Sequence, residues 1–300
     1  MPEFAPIPDF AQGPEIPESG YLVTELGGGA YGITSGGVNT MFLVTKKGVV
    51  VVDAPMGLGE KLLTGIEEVT PKPVTHLIYS HAHADHIAAA HLVARDGLKI
   101  VAHEFTAQFL KEAQDSRRPL PNETFNGTSA ELKIDGERII LDYPGDWHQP
   151  GNLFIHFPEQ KVLTAIDTFT VRNAPFARLL FSPRVPAYFN AMDQMLEYDF
   201  ETVVSGHLSL FGTPEDVQTN REYIRDMRAC VAEALGMVDR REATAGVPDI
   251  NRQALLKTWM DAVVARAAEL MPTSWEKRLG GTDIFLADNL DAVAWSLFLD

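Results

Sequence analysis

The chain has a single cysteine, Cys230, among 300 residues. An intramolecular disulfide is therefore excluded, and a metal centre here must be built from histidine and carboxylate rather than thiolate. Basic residues are also scarce: 25 Lys and Arg stand against 41 Asp and Glu, a formal net charge of −16. Such a surface repels polyanions, which argues against nucleic acid and anionic membranes as partners. No uninterrupted apolar run reaches the roughly 20 residues that span a bilayer. The opening Met1-Pro2-Glu3-Phe4-Ala5-Pro6 carries neither the basic nor the apolar stretch of a secretory signal, so a soluble, cytoplasmic protein is expected.

What is present suffices for a large core, since 45% of the residues are hydrophobic. Five prolines within residues 1–20 predict an extended arm, either mobile or packed against a neighbouring subunit. Gly27-Gly28-Gly29 lacks the Lys-Ser/Thr pair of a phosphate cradle and reads as a hairpin loop. Strand-like runs follow at 41–45 and 48–52, then a helix near 58–69, a strand at 75–80, a strand at 99–102 and a helix at 104–114. From about 128 the pattern becomes antiparallel, with hairpins turning at Asp135-Gly136 and Pro158-Glu159-Gln160. Helices near 186–197 and from 214 to about 240 flank a short strand at 202–204. Residues 241–300 form a mainly helical extension, with an end strand open, that either covers the site or makes a homodimer face. The domain reading is an arm at 1–20, a catalytic domain at 21–240 and the extension at 241–300.

At the end of the strand 75–80 stands His81-Ala82-His83-Ala84-Asp85-His86. In extended backbone, residues i and i+2 point to the same side, so His81 and His83 can grip one ion together. A change to helical backbone would swing Asp85 and His86 toward a second ion, and the intervening alanines leave the metal unobstructed. Asp85 as a helix N-cap is the competing reading. Further ligands are expected at strand ends downstream. His148 lies between two strand runs, Asp167 closes the run 162–166, and His207 follows the strand 202–204. His76, His91, His103 and His156 fall outside the pattern.

This order of motifs resembles the metallo-β-lactamase superfamily over roughly residues 22–235, and Asp53 matches the aspartate that family carries after an early strand. The resemblance implies an α/β fold, an αββα four-layer sandwich with a dinuclear metal site at one edge of the sheets. It implies His81, His83 and His148 on a first ion, Asp85, His86 and His207 on a second, and Asp167 bridging. Asp53 is expected to hold the ligand loop by hydrogen bonds. The ions are expected to be two Zn2+, although His and Asp ligands also suit Fe or Mn. Two departures bear on substrate preference. The third-ligand loop reads Asp146-Trp147-His148-Gln149-Pro150-Gly151, and Asp167 follows Ala165-Ile166 instead of glycine.

Two ions about 3.5–4 Å apart can share a hydroxide of near-neutral pKa. Asp85 and Asp167 are the expected catalytic carboxylates, with Asp167 orienting the nucleophile. The cysteine-ligand β-lactamases of the family are argued against by Asp167, and its nucleic-acid-processing branch by the short interval between Asp167 and His207. Lactonase-like, thioester and aryl-ester hydrolysis remain, on a small molecule. The apolar stretch 174–181, with Trp147, Phe169 and Phe211, predicts a hydrophobic substrate pocket or, equally, packing beneath the C-terminal helices. The alternatives are a catalytically inactive metal-bound sensor and a mononuclear-iron persulfide dioxygenase.

Overall fold

The computed structural model describes residues 4–300; positions 1–3 of the proline-rich arm lie outside the described residues. Two sheets form the centre. The first contains β1 (Leu22–Gly27), β2 (Ala30–Thr34), β3 (Asn39–Val44), β4 (Val49–Val52), β5 (Val74–Ile78), β6 (Lys99–His103) and β7 (Glu123–Phe125), hydrogen-bonded in chain order. Strands β1 to β4 are antiparallel and β4 to β7 parallel. Helices α1 (Lys61–Val69), α2 (Ala84–Ile87), α3 (Ala90–Val93) and α4 (Glu104–Ala113) make the connections that parallel pairing requires.

The second sheet has the order β12-β11-β10-β9-β8, built from β8 (Ser129–Ile134), β9 (Glu137–Asp142), β10 (Phe154–Phe157), β11 (Val162–Thr164) and β12 (Thr202–Val204). Around it lie a left-handed turn, α5 (Ala177–Phe181), and the helices α6 (Val185–Met195), α7 (Pro214–Met237), α8 (Arg240–Ala243), α9 (Arg252–Leu270) and α10 (Leu286–Leu299). The last turns of the chain are helical, so the end strand left open by the sequence does not form.

Strand periodicity generates the layers. In β4, all four valines are buried, as expected of a strand covered on both faces. Val49 and Val51 face α1 through Leu62 and Ile66, whereas Val50 and Val52 face Ile139, Leu141, Ile155 and Phe157 of the other sheet. Each such valine contributes roughly 1.5–3 kcal/mol by leaving water. A third core lies beyond the second sheet, where Phe154, Leu163 and Val203 meet Met192, Tyr223, Met227, Met260 and Val293. Three cores between four layers make the αββα sandwich. Helices α9 and α10 share that third core with α7, whose start is fixed by Pro214 and a reciprocal Thr213–Asp216 cap.

The arm packs on its own chain. Ala5 donates its N–H to Asp283 Oδ2 at 2.9 Å, and Asn173 Nδ2 donates to the Ala11 carbonyl at 3.2 Å. No described helix is long and apolar enough to cross a membrane.

Candidate metal centre

Ser80 and His81 follow the end of β5, His83 is extended, and α2 starts at Ala84. His83, not Asp85, occupies the N-cap position, with no side-chain cap bond. Asp85 is thereby free to point at the cluster. The opening of α2 turns Asp85 and His86 away from His81 and His83, and two groups result. His81, His83, His148 and Asp167 place one ligand atom each within 4.8 Å of one another, and Asp85, His86, Asp167 and His207 do the same. All seven residues singled out in the sequence converge at one edge of the sandwich.

Asp167 is the shared member. Its Oδ2 lies 3.5 Å from His81 Nε2, 4.0 Å from His83 Nδ1, 3.1 Å from His148 Nε2 and 3.2 Å from His86 Nε2. Its Oδ1 lies 3.1 Å from His207 Nε2. Asp85 Oδ2 reaches His86 Nε2 at 3.4 Å and His207 Nε2 at 3.6 Å. Asp167 sits at φ 56°, a left-handed conformation that aspartate tolerates, and its N–H donates to Ser205.

Electrostatics fit a cation. Burial would raise the Asp167 carboxyl, but His86 and the close approach of the His148, His207 and His81 rings hold it well below its ordinary value. Burial also drives His81 well below its ordinary value, leaving it a neutral ligand. His86 is opposed by burial but raised to about 9, chiefly by Asp167. His81 Nε2 is buried without a hydrogen-bond partner, an expensive condition that a metal ion would relieve. Imidazole nitrogens also face each other, His83 Nδ1 and His148 Nε2 at 2.9 Å and His86 Nε2 and His207 Nε2 at 3.3 Å. The donor set therefore suits two divalent ions, with His and carboxylate throughout.

Supporting residues lock the ligands. Asp53, buried at φ 54°, accepts the Ser80 N–H at 2.7 Å and the Ser80 hydroxyl at 2.6 Å, and Ser80 Oγ is 2.9 Å from His81 Nδ1. Burial pushes the Asp53 carboxyl up to about 7. Gln149, one of the departures in the third-ligand loop, accepts the Ala82 N–H at 2.8 Å and so ties that loop to the first. The Leu180 carbonyl stands 2.7 Å from His148 Nδ1. A backbone carbonyl carries no side-chain signature, so sequence reading had no means of finding it.

The aromatic residues expected near the site divide. Trp147 and Phe169 are buried in the third core, with Trp147 Nε1 donating to Thr168 Oγ1, so they pack beneath the helices. Phe176 remains at the site, its ring edge-on to His207 with centroids 5.4 Å apart. Of the other histidines, His103 caps α4, His91 Nδ1 lies 3.0 Å from the Ala88 carbonyl, and His156 Nε2 lies 3.0 Å from the Asp199 carbonyl. Cys230 is a buried free thiol.

The model of the metallo-beta-lactamase superfamily matches residues 33–207, a span that contains all seven clustered residues and Asp53. The chain is 29% identical over 212 residues to 2,4-dinitroanisole O-demethylase subunit alpha of Nocardioides sp. (strain JS1661), covering 69% of this chain and 63% of that protein. It is 29% identical over 161 residues to metallo-beta-lactamase IND-1 of Chryseobacterium indologenes, covering 53% of this chain and 65% of the relative. In both cases less than two thirds of the relative's own length is spanned. A solved metallo-beta-lactamase from Pontibacter korlensis superposes with a TM-score of 0.57 at 22% identity, covering 67% of this chain and 99% of that one. That likeness shows the fold alone.

Proposed function

The chain belongs to the metallo-β-lactamase superfamily, and on that premise we propose that it is a dinuclear zinc hydrolase acting on an ester, lactone or thioester of a small hydrophobic molecule. The observation that carries the reading is Asp167, one carboxylate shared between two complete ligand groups. His81, His83 and His148 would hold the first ion, and Asp85, His86 and His207 the second. Bound ions would supply Lewis acidity and lower the pKa of water between them.

The chain's own residues do the rest. Asp167, with both oxygens facing the cluster, would orient the attacking water. Asp85 is 49% exposed at its side chain and marks the open side of the site. Phe176 walls the site beside His207 and excludes water there. The relative named as a 2,4-dinitroanisole O-demethylase adds support for an aryl group in the substrate and brings aryl methyl ethers into the substrate panel.

Metal analysis with a panel of phenyl esters, lactones, thioesters and aryl methyl ethers tests the reading. The expected result is two ions per chain and turnover of an ester, lactone or thioester, lost on chelation and in Asp167→Asn. Two bound ions without turnover of any panel member would instead make this a sensor.

A further inference from the structure

A cavity of about 370 Å³ adjoins the metal centre on the His207 side. Its lining includes Ile7 and Ala11 of the arm, Ile284 and Phe285 of the extension, and Phe176 and Leu208 beside His207. Phe176 belongs to both places, since its ring also lies edge-on to His207 at 5.4 Å and 6.0 Å from that of Phe285. Leu208 directly follows the ligand.

The chemistry of the lining is uniform. Among the described residues no charged side chain lines the cavity, in a chain of net charge −16. Of its polar side chains, Asn173 Nδ2 donates to the Ala11 and Val171 carbonyls and Gln12 Nε2 to the Ile7 carbonyl and Asp9 Oδ1, while Ser209 is the third. An apolar pocket of this size with aromatic edges accommodates a phenyl ring or a short acyl chain.

Ile7, Ala11, Ile284 and Phe285 lie outside residues 33–207, and one short stretch within that span anchors both outer segments. Asn173 holds the arm at Ala11, while Ala174 N–H donates to the Gly280 carbonyl and Gly280 N–H to that of Arg172, each at 2.9 Å. That stretch begins five residues after Asp167, so the cavity's position is fixed relative to the shared carboxylate.

Resting on the hydrolase reading above, we infer that this cavity receives the apolar group of the substrate, so that the arm and the 280–285 segment set specificity for an uncharged aryl or short acyl moiety. Benzyl alcohol binding, measured by ligand-observed NMR, probes the cavity without reference to metal. Acetate and phenylacetate titrated calorimetrically into the zinc-loaded protein probe its connection to the centre. The expected result is benzyl alcohol binding, and phenylacetate held at least tenfold tighter than acetate. Ile284→Trp and, in the arm, Ile7→Trp should each weaken benzyl alcohol and bring phenylacetate toward acetate; two variants guard against one that misfolds.

Absence of benzyl alcohol binding, or an unchanged phenylacetate preference in both folded variants, overturns the assignment. Benzyl alcohol binding with equal affinity for the two carboxylates overturns it as well, because the cavity would then not serve the centre. Binding of benzyl alcohol but of neither carboxylate, with two ions present, would count against the hydrolase reading along with the subsite.

Discussion

Asn289, in the first turn of α10, clamps Leu179 in the loop that faces the metal centre: its Oδ1 accepts the Leu179 N–H at 2.7 Å, and its Nδ2 donates to the Pro175 carbonyl at 2.9 Å. The next residue, Leu180, presents its carbonyl to His148 Nδ1 at 2.7 Å. A carbonyl can only accept, so it fixes the tautomer with the proton on Nδ1 and leaves the Nε2 lone pair for a metal. The loop reaches this position by holding Arg178, Leu179, Leu180 and Phe181 at φ between 53° and 57°. For non-glycine residues such conformations cost roughly 1–2 kcal/mol each, so something must retain them. Burial of Leu179 and Leu180 and the Asn289 clamp do so.

Asn289→Ala is accordingly expected to weaken zinc binding about 10- to 100-fold, the range typical of partners that orient a ligand. Chelator competition reads the affinity, and the visible spectrum of the cobalt-substituted protein reads His148 geometry. Leu290→Ala, at a neighbouring buried position, should lower the thermal midpoint without altering that spectrum. Equal effects of the two variants on metal affinity would show that Asn289 acts only through stability.

A second prediction concerns Asp53. It satisfies both donors of Ser80 at a buried site, and Ser80 in turn contacts His81. Asp53→Ala leaves the buried Ser80 N–H without its acceptor, a loss of about 1–3 kcal/mol. Urea unfolding of the metal-free protein should show that loss. Asp53→Asn keeps an acceptor for the N–H, so it should recover part of the stability. Wild-type stability in Asp53→Ala would sink the idea.

The contrast between these positions explains how much could be read in the sequence. His81 to His86 form one local run, and His148, Asp167 and His207 each stand just past an apolar strand, which periodicity could show. Their gathering at one sheet edge, and the choice of Asp53, came from the resemblance to the family. Asn289 was not legible, because its role depends on a contact 110 residues away in the chain, and Leu180 acts through backbone. The left-handed turn at 178–181 carries Arg-Leu-Leu-Phe, with no glycine to announce it. For Trp147 and Phe169 the sequence left a pocket and packing beneath the helices equally open, and the helix-side core holds both. Arg278 of the extension is bonded to Glu222 of α7 at 2.7 Å and lies over the Trp275 ring.

A third prediction is pH-dependent and lies away from the centre. His76 on β5 has its pKa lowered by burial first and by Lys99, its neighbour on β6, second. The unfolded imidazole titrates near about 6.5, above the folded value, so the unfolded state binds the proton more readily. Stability from this group is therefore complete above about 6.5 and is lost as pH falls through the lower folded value. The urea midpoint of His76→Gln should change less than that of the wild type between neutral and mildly acidic pH. A parallel shift in both proteins would refute the role.

The last prediction sets two glycines against each other. Gly206 has φ +93°, and a Cβ there would come within 2.8 Å of Ile166 and 2.9 Å of His86. Its carbonyl accepts the Asn39 N–H, and its N–H donates to Asn39 Oδ1, so the backbone cannot retreat. Gly206→Ala must then displace His86, at a cost on the order of 1–3 kcal/mol, and should weaken the second ion more than the first. Gly236 is the opposite case: it is exposed in α7, and a Cβ there meets nothing within 4 Å. Gly236→Ala should stabilise the fold by roughly 0.5–1 kcal/mol through helix propensity and leave both ions untouched. Stepwise zinc titration with thermal unfolding separates the two outcomes. Equal loss of both ions in Gly206→Ala would mean that the strain spreads through Asp167 rather than stopping at His86.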